Sequence, residues 1–175
     1  MYRSLLSQLI DWKNQPDRMP LLVDGARQVG KSYLLEHLFG RQHFKQVVKL
    51  DFLSDPTLSE LFAGSKNPND ILSKLQILRS IDFNPLTDLL LLDEIGECQH
   101  AIDSLKYFQE QRADIFVCAS GSNIGLLGSF PVGKIQEYHL HPMNFEEFVI
   151  AHNNPHLTEA FQQGSRSDIV HQKLW

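Results

Sequence analysis

The sequence predicts a three-layer α/β fold: a sheet of about five mostly parallel strands with helices on both faces. Two observations carry this. Short continuous apolar runs, the pattern of strands buried on both sides, alternate with stretches of helical periodicity. The segments between successive runs are too long for simple hairpins, so the strands are joined by crossovers, and crossovers make neighbours parallel.

Leu5, Leu6, Leu9, Ile10 and Trp12 recur near helical spacing and predict an amphipathic first helix, closed by the turn-rich stretch NQPDRMP. MPLLVDG follows as the first strand, stopped by glycine. Beyond a glycine-bounded loop, SYLLEHLF puts Leu34, Leu35, Leu38 and Phe39 on one side of a helix that Gly40 is expected to end. A second strand is expected at VVKLDF, Val47 to Phe52, then a helical region with Leu58, Leu61 and Phe62 and later Ile71, Leu72, Leu75, Ile77 and Leu78. The strongest strand signal is LLLLDE, Leu89 to Glu94. A helix through Ala101, Leu105 and Phe108 leads to the strand IFVCAS, and a last strand lies within KIQEYHLHP. Phe145, Glu146, Glu147 and Phe148 predict a docking helix with its acids near the positive end. The chain from His156 is polar and loop-like until DIVHQKLW, a helical pattern running to Trp175.

The 175 residues suffice for one proper core, and hydrophobic and charged shares of 42% and 21% are those of a folded globular chain. A formal net charge of -5 supplies no positive field for a nucleic acid backbone, so composition argues against that partner. The two cysteines, Cys98 and Cys118, argue against a disulfide framework, since Cys118 sits in an apolar run where it reads as a small buried hydrophobe. No segment reaches the length of a membrane span, and the expected location is the cytoplasm.

Gly25 to Ser32 reads GARQVGKS and fits the pattern G-x-x-x-x-G-K-[ST] of a phosphate-binding P-loop, with an apolar strand before it and a helix after it. The backbone there must wrap a phosphate closely, through conformations that glycine tolerates, so that N–H groups and the helix N-terminus face the anion. The expected nucleotide contacts are Gly25, Ala26, Arg27, Gln28, Val29, Gly30, Lys31, Ser32 and Tyr33. Within that set Lys31 brings a mobile charge to the β- and γ-phosphates, and Ser32 offers a hydroxyl to magnesium, a hard cation that takes oxygen ligands. For Arg27 and Gln28, solvent or local hydrogen bonding is the simpler role.

Leu89 to Glu94 ends in two adjacent carboxylates at the edge of the sheet where ligands of open α/β folds sit. Asp93 is the candidate magnesium carboxylate, either in direct contact or through a bound water, and Glu94 the candidate to orient and polarise the attacking water. The acid pair, with no Asn-Lys-x-Asp stretch for guanine, favours ATP hydrolysis over GTP switching or phosphoryl transfer to a metabolite. The fourth strand ends in ASGSNIG, from which Ser122 is the first choice to reach between the acids and the γ-phosphate; Ser120 and Asn123 are alternatives. A serine-rich turn capping a helix explains the same residues. His139 and His141 share one face of a strand but lack further metal ligands, and Asp51 at its strand end reads equally as a cap.

GARQVGKS, LLLLDEIGECQHAIDSLKYF, ASGSNIG and FPVGKIQEYHLHPMNFEEF together resemble one family of prokaryotic AAA-like ATPases, known mainly as ATP-binding proteins. The resemblance covers most of the chain, and the strand followed by HPMNFEEF is its most specific part. It implies a P-loop NTPase sheet of ASCE type, in which the strand ending near Ser120 separates the P-loop strand from the strand bearing Asp93 and Glu94. It also implies ATP with Mg2+, and an N-terminal ATPase domain, here residues 1–155, with 156–175 leading toward a second domain. Where the family often has glutamine after Asp-Glu-Ile, this chain has Gly96, and its link between ASGSNIG and FPVGK is shorter than usual. The expectation is an ATPase, weak in isolation because no residue here is a convincing arginine donor in the hydrolytic step, with self-association or a protein partner open. An ATP-dependent binding module with little turnover, or an inactive fragment, is the alternative.

Overall fold

The computed structural model describes residues 2–122 and 133–151. Among these residues five parallel strands form one sheet: β1 (Leu21–Asp24), β2 (Gln46–Asp51), β3 (Asp88–Asp93), β4 (Phe116–Gly121) and β5 (Gln136–His139), in the order β2-β3-β4-β1-β5. The strand ending at Ser120 and Gly121 does lie between the P-loop strand and the strand with the two acids.

Burial explains this order. All six residues of β3 are buried, as are most of β1 and β4, and these three fill the middle; the edge strands β2 and β5 alternate in exposure. The period of two then sorts the central residues into two cores. Leu22, Leu90, Leu92, Val117 and Ala119 face one side with α4 (Ser59–Phe62), α5 (Pro68–Arg79) and α6 (Gln99–Gln111). Leu21, Val23, Leu89, Leu91 and Cys118 face the other, under α1 (Leu5–Asn14) and the helical rod that follows β1. Trp12 anchors that second layer, fully buried and donating its indole N–H to the Met19 carbonyl at 2.8 Å.

The rod itself departs from expectation. It starts as α2 (Lys31–Tyr33), widens into π turns over Leu34–Gly40 and closes as α3 (Arg41–His43), so Gly40 does not end it. A side chain at position 40 would meet Val47 Cγ2 at 2.7 Å and the Leu35 carbonyl at 2.8 Å. The glycine is there for close approach of the rod to β2. In α5 the apolar stripe is narrower than the sequence implied: Ile71 and Leu75 are buried, whereas Ile77 and Leu78 are exposed. The last element among the described residues is α7 (Phe145–Ala151). Asn123 and the segment 156–175, both named above, lie outside the described residues.

The crossover from β1 travels past two strands to the β2 edge, while the chain after β4 passes to β5 on the opposite side of β1. The chain direction thus reverses around β1 and β4, and open α/β sheets bind ligands in the crevice outside the C-terminal ends of strands at such a reversal.

Candidate functional site

The loop after β1 turns through three residues at positive φ: Gly25 at 154°, Gln28 at 65° and Gly30 at 94°. Gly25 is needed for space as well, because the Leu140 N–H bonds the Asp24 carbonyl at 2.8 Å and holds the Leu140 backbone against the loop. Ala26, Arg27 and Gln28 at the crest of the loop are exposed, Val29 and Gly30 are half-buried, and Tyr33 projects from the rod with its ring 5.0 Å from that of His37.

Lys31 is buried at its start. Its ammonium donates to the carbonyls of Gly25 and Ala26, both at 2.9 Å, and to Ser122 Oγ at 2.8 Å. The cation is thus curled into the mouth of its own loop, with Ser122 from the end of β4 as its third acceptor. Ser122 meets Lys31 and not the acids. Ser120, the alternative, takes that other place: its hydroxyl donates to Asp93 Oδ1 and accepts from the Glu94 N–H at 3.2 Å.

Asp93 is the most heavily bonded group of the site. Ser32 Oγ donates to its Oδ1 at 2.9 Å, beside Ser120, and Lys49 Nζ lies 2.8 Å from Oδ2. Burial pushes this carboxyl up, but the bonds from Lys49, Ser120 and Ser32, with the Lys49 charge, outweigh it and hold the group below its ordinary 3.8. Lys49 responds in kind: burial lowers it, and Asp93, Glu36 and Asp51 together raise it above its usual value. Glu94, next in the chain, has φ 49° and ψ 49°, a left-handed conformation uncommon for a residue with a side chain. That turn ends the strand and sets the half-buried Glu94 beside Asp93 at the crevice.

Sequence reasoning missed three residues that shape this site. Lys49 carried a usable signal, a lysine two residues before Asp51 inside an otherwise apolar strand. Arg3 and Glu147 carried little. Arg3 is buried and donates to the carbonyls of Val29, within the loop, at 2.8 Å and of His141 at 2.6 Å. Its Nε lies 3.3 Å from Glu147 Oε2, an ionic contact outside hydrogen-bond geometry. Asp51 serves as a turn cap, accepting from the N–H groups of Leu53 and Ser54. His139 lies 3.6 Å from Asp24 and its ring 4.5 Å from that of His141; among the described residues no group of three or more His, Cys, Asp or Glu is placed to hold a metal.

A hard cation nevertheless has suitable partners here. One carboxylate and one hydroxyl 2.9 Å apart, at the end of a loop shaped for phosphate, are the few protein oxygens that magnesium takes when a nucleotide supplies the others.

The parallel order, the glycine-bounded loop after β1 and the acids ending β3 define a P-loop NTPase fold. The chain belongs to the AAA domain family, whose model matches residues 17–149, a family of nucleotide-binding ATPases. A comparison with curated proteins found no match. Among solved structures, C. elegans PCH-2 superposes with a TM-score of 0.50 at 13% identity, over 95% of this chain and 49% of that one. The Pif1 helicase from Candida albicans gives a TM-score of 0.47 at 13% identity, over 99% and 47%. At such identity the likeness to PCH-2 speaks for the fold alone. The chain spans about half the length of either. No helix among the described residues is long and apolar enough to cross a membrane.

Proposed function

We propose that this domain, residues 1–155, binds ATP with magnesium on the loop Gly25 to Ser32 and hydrolyses it. The observation that supports the reading is the set of bonds at the C-terminal ends of β1, β4 and β3 that links Lys31 to Ser122, Ser32 to Asp93, and the Glu94 N–H to Ser120.

In this reading the loop amides and the N-terminus of the rod receive the phosphates, and Lys31 exchanges its carbonyl partners for phosphate oxygens. Ser122, already bonded to Lys31, keeps the ammonium oriented during that exchange. Ser32 and Asp93 would hold magnesium, which when bound neutralises charge on the β- and γ-phosphates. Glu94 orients a water toward the γ-phosphate and accepts its proton, and the bond from its N–H to Ser120 fixes its height relative to Asp93. The work is positioning and electrostatics, with little covalent chemistry for the protein. An arginine donated by another chain or domain is worth about 10³ to 10⁵ in rate for such enzymes, so turnover by this chain alone is expected to be slow.

Two variants test the assignment. Lys31→Ala should abolish ATP binding in equilibrium titration; retained affinity in the micromolar range of about −8 kcal/mol counts against the loop. Glu94→Gln should keep ATP affinity and lose at least about 10² in single-turnover hydrolysis, and an unchanged rate removes Glu94 from its role.

A further inference from the structure

Lys49 has no part in the chemistry just described, yet it is bound into the same site. Its ammonium lies 2.8 Å from Asp93 Oδ2, 3.5 Å from Glu36 Oε2 and 3.8 Å from Asp51 Oδ2. The three acids come from three elements: the π turns of the rod, the end of β2 and the end of β3. Lys49 sits one pleat before Asp51 on β2, and Asp51 is paired in register with Asp93. The division of labour on Asp93 is sharp. Ser32 and Ser120 donate to Oδ1, and among the described residues Lys49 alone lies against Oδ2.

Two consequences follow from the charges. The carboxylate is held in one orientation, with Oδ1 turned to Ser32 and Ser120. Its charge is also offset in part by Lys49, which Glu36 and Asp51 share, and a divalent ion on the same carboxylate would have to approach that ammonium against repulsion. The protein alone offers few ligands to offset that cost, because no cluster of three His, Cys, Asp or Glu capable of holding a metal occurs among the described residues. Nucleotide phosphates bring both ligands and negative charge.

We infer that Lys49 is a positioning residue that makes divalent-cation binding conditional on nucleotide: it fixes Asp93 through Oδ2 and keeps a free ion from settling on the acids until the triphosphate arrives. The inference rests on the magnesium-ATP reading of the site. Its role is distinct from that of Lys31, whose ammonium is bonded to the Gly25 and Ala26 carbonyls and to Ser122.

The test is a titration of Mn2+ into the nucleotide-free chain, read from the electron paramagnetic resonance signal of the free ion, for wild type, Lys49→Gln and Lys49→Arg. Glutamine keeps a donor to Asp93 without charge, and arginine keeps the charge. Wild type and Lys49→Arg should bind Mn2+ weakly until ATP is added, whereas Lys49→Gln should bind it about tenfold tighter without nucleotide. Lys49→Gln with wild-type Mn2+ affinity, or Lys49→Arg as tight as Lys49→Gln, overturns the role. A wild-type chain that takes up Mn2+ as tightly without ATP as with it overturns the inference even if the glutamine variant fails to fold. Failure of wild type to bind Mn2+ and ATP together removes the reading of the site. Intact binding of that pair with an unmoved Lys49→Gln titration removes only the role of Lys49.

Discussion

At position 25 two constraints meet that no side chain satisfies together. An added Cβ would lie 2.3 Å from the Leu140 carbonyl oxygen, and the φ of 154° belongs to a region that residues other than glycine rarely visit. Leu140 cannot simply retreat, since its N–H is bonded to the Asp24 carbonyl directly before the loop. Gly25→Ala is therefore expected to cost about 2 to 4 kcal/mol in urea unfolding, from strain plus overpacking, and to weaken ATP binding as the loop opens. A loss under about 1 kcal/mol would mean the β5 exit yields to the methyl group. Glu94 carries a related strain with the opposite meaning. Its left-handed turn costs energy that a glycine would avoid, and it places directly after Asp93 a side-chain carboxylate on a residue whose N–H is tied to Ser120.

Between elements, the loop is braced from behind by a connection that ties α1 to α7. Asn144 and Glu147 cap α7 reciprocally, with Glu147 N–H to Asn144 Oδ1 at 2.8 Å and Asn144 N–H to Glu147 Oε2 at 3.2 Å. The same carboxylate accepts from the N–H and hydroxyl of Ser4, at 2.7 and 2.8 Å, and lies against Arg3, which grips Val29 in the loop. Burial pushes the Glu147 carboxyl up, but the bonds from Ser4 and Asn144 and the Arg3 charge bring it below its ordinary 4.5. A depressed carboxylate contributes its stability above the unfolded value and loses it as pH falls through the folded one. Glu147→Gln should thus destabilise by about 1 to 3 kcal/mol at pH 7, and the gap to wild type should close as pH falls below 4.5. Denaturant melts at several pH values measure this, and a gap that persists at low pH would assign the loss to packing. The docking helix was legible in the chain, but its tie to the first helix was not, because Ser4 and Glu147 are 143 residues apart and local pattern does not carry such pairs. What was legible has short-range causes. Leu21 to Val23 and Leu89 to Leu92 read as strands because both their faces are covered, and the loop and the acid pair read from spacing alone. Gly40 misled because a helix-ending glycine and a glycine under close contact look the same in sequence.

For the molecule as a whole, the arrangement of the site predicts how nucleotide and stability are linked. Its residues come from the ends of β1, β3 and β4, the three strands whose side chains build both hydrophobic layers. A ligand held by Lys31, Ser32 and Asp93 thus engages groups that exist together only when the sheet and both helical layers are formed. Such a ligand stabilises by mass action, by about 2.7 kcal/mol at a concentration 100 times its Kd. For a domain of this size that is a rise in Tm of about 5 to 10 °C. Wild type and Glu94→Gln should show the same rise with ATP and magnesium, because Glu94 is assigned to water and not to holding phosphate. Lys31→Ala should show none. Differential scanning calorimetry across ATP concentrations separates the alternatives: a rise that survives Lys31→Ala places the nucleotide elsewhere on the fold, and a rise lost in Glu94→Gln makes that acid a binding group.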